Sequence, residues 1–272
     1  MRVTGATRVL ALLGDPVEHS GSPAMQNAAM AREGLDGVYV ALRCASGDLE
    51  VLMRALARAG GGGNVTLPHK ERAASVLDEP SEAVRRTGAC NTFWGGPDGR
   101  LHGDNTDVDG FRRALRAFLC DSRPGRVLLA GAGGAARAVL LGLLEEGVDE
   151  VVLVNRTQER AQDLARSIGG ARTRVESRAE ALSGQEFDLV VNATSVGLDP
   201  SAASPIALDV PVRVGAAMDL VYGKEPTPLV RGAEALGIRA TDGAEMLVQQ
   251  GAASFERWWG RAAPVEAMRA AL

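Results

Sequence analysis

The sequence predicts an α/β protein in two domains. Short apolar runs alternate with amphipathic helical stretches along nearly the whole chain, the pattern of strands covered by helices. With 272 residues the chain is too long for one small core and suits two domains of ordinary size. A glycine-rich turn at residues 131–136 sits in the most regular part of the alternation.

Taken in order, residues 9–13 and 38–42 read as strands, with a helix at 24–33 between them. Residues 48–59 read as a helix that Asp48 can cap, since Leu49, Leu52 and Leu56 keep helical spacing. The glycines at 60–63 end it, because glycine tolerates a reversal of the backbone at least cost. Residues 64–66 then form a short strand stopped by Pro68. In the second half, 126–130, 151–154, 187–191 and 215–221 read as strands and 133–146 and 157–168 as helices, which argues for parallel sheets. The segment 197–213, with Pro200, Pro205 and Pro211, reads as an irregular exposed loop. After Gly243, a last helix gains an apolar side from Met246, Leu247, Gln250, Ala253, Phe255 and Trp258.

Composition narrows the function classes. A net charge of −4 leaves no broad basic surface, so no nucleic-acid partner is expected. The first apolar run is too short for a secretion signal or a membrane span, which points to the cytoplasm and to no membrane partner. Cys44, Cys90 and Cys120 are odd in number and irregularly spaced; they read as small buried or half-buried thiols. His19, His69 and His102 show no metal-ligand spacing, so no metal is expected.

Gly131-Ala132-Gly133-Gly134-Ala135-Ala136 fits G-x-G-x-x-A between a strand and a helix. Gly131 permits the tight turn, Gly133 lets the backbone approach a pyrophosphate, and Ala136 lets helix and strand pack closely. The helix start offers free N–H donors to phosphate. This is the fingerprint of a Rossmann domain. An NAD site usually has an acid at the end of the next strand. Here that strand runs into Asn155-Arg156-Thr157, with Arg160 a helical turn later. An arginine can clamp a 2′-phosphate, and Thr157 can both cap the helix and bond the phosphate. The expected cofactor is NADP.

Polar residues gather in three segments of the first half. Ser20 and Ser22 stand near a helix start, where hydroxyls and N–H groups suit a carboxylate; simple N-capping is the competing reading. Lys70 follows a strand–proline break and alone could be a surface charge. Asp107 precedes a helix that it could cap. Together these segments carry G-x-P-x-x-H-S-x-S-P at residues 14–23, N-V-T-x-P-x-K at 64–70, G-A-x-N-T at 88–92 and N-T-D-x-x-G at 105–110. The four patterns, in this order, resemble the shikimate dehydrogenase family. Further matches follow at 131–135, 155–157, 192–197, 219–222 and 243–250.

The resemblance implies an N-terminal α/β substrate domain at 1–107, completed by C-terminal helices at 244–272. It implies a Rossmann NADP domain at 108–243 and a cleft between the two. It implies that Ser20 and Ser22 hold a substrate carboxylate. Thr66, Asn91 and Gln250 would bond ring hydroxyls, and Tyr222 would approach from the cofactor side. Lys70 and Asp107 would form the catalytic pair and also touch substrate. The cofactor set would be Glu82, Gly131, Ala132, Gly133, Gly134, Ala135, Asn155, Arg156, Thr157, Arg160, Thr194, Leu220 and Gly243. Chemistry agrees with the pair: hydride delivered to a ketone builds charge on its oxygen, which an ammonium stabilises and can protonate.

The implied activity is NADPH-dependent reduction of 3-dehydroshikimate to shikimate, in aromatic amino-acid biosynthesis, by a monomer or homodimer. Quinate or aminoshikimate as substrate is the near alternative. A non-catalytic NADP-binding module is the remote one, which need not keep both Lys70 and Asp107. The family pattern Y-x-P-x-x-T is altered here to Tyr222-Gly223-Lys224-Glu225-Pro226-Thr227. The missing proline implies a more flexible loop.

Overall fold

The structure is a computed structural model that describes residues 3–176, 184–199 and 213–272, with 201, 203, 204, 206 and 208 between them. Pro200, Pro205 and Pro211 of the expected loop lie outside the described residues. The chain divides into two compact units. One runs to Gly110 and resumes at Leu247–Leu272; the other is Phe111–Met246.

The first unit begins β1 (Arg8–Gly14), α1 (Ser22–Arg32), β2 (Gly37–Arg43), α2 (Leu49–Arg58), β3 (Gly62–Val65). It continues α3 (Lys70–Ser75), β4 (Glu79–Pro80), α4 (Glu82–Thr87), β5 (Thr92–Gly95) and β6 (Leu101–Asp104). Helix α5 (Thr106–Leu119) leads into the second unit. There the chain forms β7 (Arg126–Ala130), α6 (Gly134–Glu145), β8 (Glu150–Val154), α7 (Gln158–Leu164) and β9 (Thr173–Glu176). Next come β10 (Glu186–Asn192), β11 (Arg213–Asp219), α8 (Pro228–Ala235) and β12 (Arg239–Thr241). Helices α9 (Ala244–Trp259) and α10 (Val265–Arg269) return to the first unit.

Among the described residues, the first sheet has the order β2-β1-β3-β5-β6-β4. It is mixed, not parallel as expected. β1, β2 and β3 are parallel, but β5 is antiparallel to both β3 and β6. The short 96–100 connection between β5 and β6 allows only a hairpin. Alternate residues of β1 face opposite layers, as the pleat requires. Leu10 and Leu12 pack with Met25, Met30, Phe255 and Met268 of α1, α9 and α10, while Ala11 and Leu13 pack with Leu49 and Met53 of α2 and with Phe93.

The second sheet is wholly parallel, in the order β12-β11-β10-β7-β8-β9. Counted within the unit this is 3-2-1-4-5-6, the order of a Rossmann domain. Val127, Leu129, Val151 and Leu153 pack with Phe111, Val139, Leu143 and Leu164. Leu128, Val152 and Val190 fill the other face with Leu229 and Ala233 of α8.

Several local expectations are corrected. Gly60, at φ +78°, makes the turn after α2, but Gly62 and Gly63 belong to β3. A side chain on either would run into backbone of a neighbouring strand, Phe93 O for Gly62 and Ala11 O for Gly63. Their smallness thus serves close strand approach rather than chain reversal. Asp48 stands at the N-cap of α2 in a helical conformation, with no capping bond from its side chain. Cys44 and Cys90 are buried as expected, but Cys120 is exposed. It sits in a reversal just past α5, at φ +52°.

Candidate active site

In the first unit the strand order turns at β1 and β3, with β2 on one side and the β5–β6 hairpin on the other. Ligands of open α/β sheets bind beyond the carboxyl ends of strands at such a point. The segments that leave those two ends carry Ser20, Ser22, Thr66 and Lys70. They meet there: a side chain on Gly14 would strike Thr66. Ser22 is buried as the first residue of α1, and Ser20 Oγ accepts from Ser22 N at 3.2 Å. Neither serine is the N-cap; that position is Gly21, with no side-chain capping bond.

Lys70 opens α3 and reaches Asp107, the second residue of α5. Its Nζ donates to Asp107 Oδ2 at 2.5 Å, with the two side chains only 15% and 7% exposed. Asn91 Nδ2 donates to Asp107 Oδ1 at 2.8 Å and lies 3.4 Å from Gln250 Oε1. Asp107 therefore spends its carboxylate on Lys70 and Asn91, not on capping its helix. The sense of the Asn91 amide follows from its partners. Thr106 N–H can only donate, at 2.7 Å, so it faces Oδ1; the carboxylate only accepts, so it faces Nδ2. The glycine of N-T-D-x-x-G has a physical reason too. A Cβ on Gly110 would stand 2.6 Å from Gln250 N and Cβ, so a larger residue would push α9 away.

Below this group lies a buried polar layer that sequence reasoning missed as part of the site. Asn64 Nδ2 is within bonding distance of Asn91 O, Thr92 Oγ1 and Ser254 Oγ at 3.0, 2.6 and 2.9 Å. Tyr39 OH donates to Asn64 Oδ1 at 2.8 Å. Asp104 accepts from Ser81 Oγ at 2.5 Å, Asn105 N at 2.8 Å and Arg257 Nε at 2.8 Å. Such groups are costly to bury unpaired, and here they are paired. Ser254 and Arg257 lie about 150 residues or more from their partners, so no local motif could signal them. Cys90, at the variable place of G-A-x-N-T, is buried with its Sγ 3.2 Å from Thr92 O, and burial pushes its thiol up to about 12. It is a packing residue. Glu82 stands apart from this group, exposed on α4 and ion-paired with Arg85 at 3.2 Å.

Apart from Glu82, the expected cofactor residues fall in the second unit, at the strand ends around its own switch point between β7 and β10. Gly131 adopts φ +116°, donates to Val154 O at 2.9 Å, and leaves no room for a Cβ, which would stand 2.8 Å from Ala193 O. Gly133 is the N-cap of α6, and a Cβ there would meet nothing within 4 Å. Open space above a helix N-terminus fits a pyrophosphate. Ala132 and Ala136 are buried in the core behind the turn, with Gly134 and Ala135 opening the helix between them. Beyond β8, Asn155 Nδ2 donates to Thr157 O at 2.8 Å, and Arg156, Thr157 and Arg160 are exposed. Thr157 is the N-cap of α7 but makes no capping bond through its side chain, a correction that leaves its hydroxyl to a ligand. These residues fit a 2′-phosphorylated dinucleotide.

Beyond β10, Thr194 donates to Asn192 Oδ1 at 2.7 Å. Asn192 Nδ2 in turn donates to the fully buried Asp219 at 2.8 Å, which also accepts from Val221 N and Thr227 Oγ1. Burial raises the Asp219 carboxyl, against the pull of these bonds from Thr227, Val221 and Asn192. Thr227 also caps α8. It keeps the register of Y-x-P-x-x-T despite the missing proline. Gly243 N donates to Val221 O at 3.0 Å, and a side chain on Gly243 would collide with Leu220 O. Tyr222 lines a cavity of about 260 Å³ with Gly197, Leu198 and residues 223–227.

A Rossmann unit with a 2′-phosphate-compatible strand end, on the same chain as an α/β unit holding a half-buried lysine–carboxylate pair, defines the class of NADP-dependent oxidoreductases. Comparison with known proteins gives the family. Residues 12–93 match the shikimate dehydrogenase substrate binding domain, 114–198 the shikimate / quinate 5-dehydrogenase family, and 243–272 the shikimate 5′-dehydrogenase C-terminal domain. The shikimate dehydrogenase (NADP(+)) of Methanopyrus kandleri is 42% identical over 99% of this chain and 96% of its own. That of Rhodospirillum rubrum is also 42% identical, over 99% and 98%. The crystal structure of shikimate 5-dehydrogenase from Thermus thermophilus, in complex with NADP(H) and shikimate, superposes with a TM-score of 0.87 at 41% identity. It covers 97% of each chain. The chain belongs to the shikimate dehydrogenase family. Its first unit is of the family's substrate-binding type and its second of the NADP-binding type. Among the described residues no helix is long and apolar enough to cross a membrane.

Proposed function

We propose that the chain catalyses the reversible NADPH-dependent reduction of 3-dehydroshikimate to shikimate, with Lys70 and Asp107 as its catalytic pair. The observation that carries this is the 2.5 Å Lys70–Asp107 contact, joined to Asn91 and Gln250 at a switch point. Bound NADPH supplies the hydride. The Lys70 ammonium stabilises the charge that develops on the ketone oxygen and is placed to give it a proton. Asp107 holds that ammonium in place, so its position is set before substrate arrives. Asn91 offers a donor, and Asp107 an acceptor, to a ring hydroxyl. Thr66 and Gln250 complete the hydroxyl contacts, and Ser20 and Ser22 take the carboxylate. Glu82, exposed on α4, is the loosest member of the cofactor set.

The names of the relatives support substrate and cofactor alike. With this reading go a place in chorismate and aromatic amino-acid biosynthesis, a cytoplasmic location, and a monomer or homodimer. The 1–107, 108–243 and 244–272 division of labour goes with it too. The test is nicotinamide reduction by the purified protein with shikimate, quinate or aminoshikimate, each with NADP⁺ and with NAD⁺. Fast turnover of shikimate with NADP⁺ alone is expected. A preference for another of the three would move the chain to a sister activity, and silence on all three would leave a cofactor-binding module.

A further inference from the structure

Helix α9 is apolar on the side that packs on the first sheet, through Val248, Ala252 and Phe255. Beside that face runs a stripe of three polar residues, Gln250, Ser254 and Arg257. Their spacing of i, i+4 and i+7 places them on one side of a helix. All three meet the β5–β6 hairpin or the residues that flank it. Gln250 Oε1 is 3.4 Å from Asn91 Nδ2. Ser254 Oγ, fully buried, is 2.5 Å from Thr92 Oγ1 and 2.9 Å from Thr106 Oγ1. Arg257 Nε donates to Asp104 at 2.8 Å.

The hydroxyls along the stripe are all paired. Thr106 Oγ1 lies 3.1 Å from Asn91 Oδ1 and Ser254 Oγ 3.0 Å from Gln250 O, both acceptors only. Between Thr92, Thr106 and Ser254 either hydroxyl of each contact can donate. At the far end, Asp104 is 6% exposed and takes Arg257 on one oxygen and Ser81 and Asn105 N on the other. Its own carbonyl accepts Asn91 N at 3.1 Å. Asp104 stands three residues before Asp107, so whatever fixes it also fixes the turn that presents Asp107. The backbones are close enough here that Gly110 admits no Cβ against Gln250.

We propose that this seam is the positioning device of the substrate pocket. Ser254 and Arg257 touch no substrate; they act through Thr106, Asp104 and Asn91 to hold Gln250 and Asp107 in register. The inference rests on the reading of Asn91, Asp107 and Gln250 as substrate ligands. It predicts that loosening the seam harms substrate binding and spares the cofactor.

The test compares Ser254→Ala and Arg257→Met with Arg257→Lys, which keeps a cation for Asp104. The control is Arg261→Gln, which removes an exposed charge just past α9. KM for shikimate should rise roughly tenfold or more in the first two and kcat should fall with it, because Asp107 also holds Lys70, while KM for NADP⁺ stays within about twofold. Arg257→Lys should recover part of the loss, and Arg261→Gln should match the wild type. A wild-type KM in both Ser254→Ala and Arg257→Met, or an equal rise for both substrates, overturns the seam. A wild type that does not turn over shikimate counts against the activity instead. The seam is then read from the side-chain amide ¹H–¹⁵N signals of Asn91 and Gln250. They should be sharp in the wild type and broadened in both variants; unchanged signals overturn it.

Discussion

At the scale of single residues, the two halves of the proposed reaction can be separated. Lys70 is the cation facing Asp107 at 2.5 Å, and in the proposed reaction its ammonium would meet the developing oxyanion. Lys70→Ala should lower kcat by ~10²–10⁴-fold with a modest change in shikimate affinity, as read by steady-state kinetics and calorimetry. Near-normal turnover would take the catalytic role from it. Arg156 lies exposed past the end of β8, where it would meet a 2′-phosphate that only NADP⁺ carries. Arg156→Gln should raise KM for NADP⁺ roughly tenfold, the value of a lost charge-assisted bond or two, and leave KM for NAD⁺ unchanged. An equal change for the two cofactors would mean that Arg156 does not read the phosphate. Arg156 was legible from its place at a strand end after the glycine turn, whereas Lys70, which alone could be a surface charge, was singled out only by the family resemblance. Ser254, Arg257 and Asp104 were not legible, because their partners are distant in sequence and a serine or arginine on a helix carries no local signal of burial.

At the scale of elements, hydrophobic periodicity foretold the strands and helices with long apolar faces. β1, α1, β2, α2 and all of β7 to α6 follow from it. It missed β5 and β6, where Thr92-Phe93-Trp94-Gly95 lacks alternation and the hairpin is short. It also passed over α3 and α4, six residues each, and the three-residue β12. Elements that short are held by tertiary contacts rather than by propensity. Arg54 shows how. From α2 it donates to both oxygens of Asp78 at 2.9 and 3.2 Å, and Asp78 also accepts from Leu101 N in β6 at 2.8 Å. The Arg54 bonds first, then the Leu101 bond, hold the Asp78 carboxyl down at about 2, against 3.8 ordinarily. A lowered carboxyl stabilises the fold above its ordinary value and loses that effect as pH falls through its lowered one. Water reaches both partners, so the gain should be only about 1 kcal/mol. Asp78→Asn should therefore be less stable than the wild type near neutrality, and the gap should narrow from about pH 4 towards pH 2. A gap independent of pH in denaturant unfolding would assign the loss to packing instead.

At the scale of the whole molecule, the chain carries two compact units, each with its own sheet and cores on both faces. The expected cofactor residues fall mostly in one and the substrate residues mostly in the other; Glu82 and Tyr222 are the exceptions to that division. A ligand that binds only the native form stabilises what it touches, by about 2.7 kcal/mol at a hundredfold excess over Kd. Amide exchange then reports each ligand by location. NADP⁺ alone should slow exchange at 131–137, 155–160 and 192–195. Shikimate alone should slow it at 20–22, 64–70, 91–92, 104–107 and 247–254, the last stretch because Gln250 brings α9 into the pocket. Exchange mass spectrometry with each ligand singly checks both patterns. The decisive peptide is the one that contains Gln250. If shikimate protects 64–70 and 104–107 but leaves 247–254 as it was, α9 is scaffold and Gln250 is no ligand. If NADP⁺ protects the α9 peptide as strongly as shikimate does, the helix answers to the cofactor, and the division of roles between the units fails there.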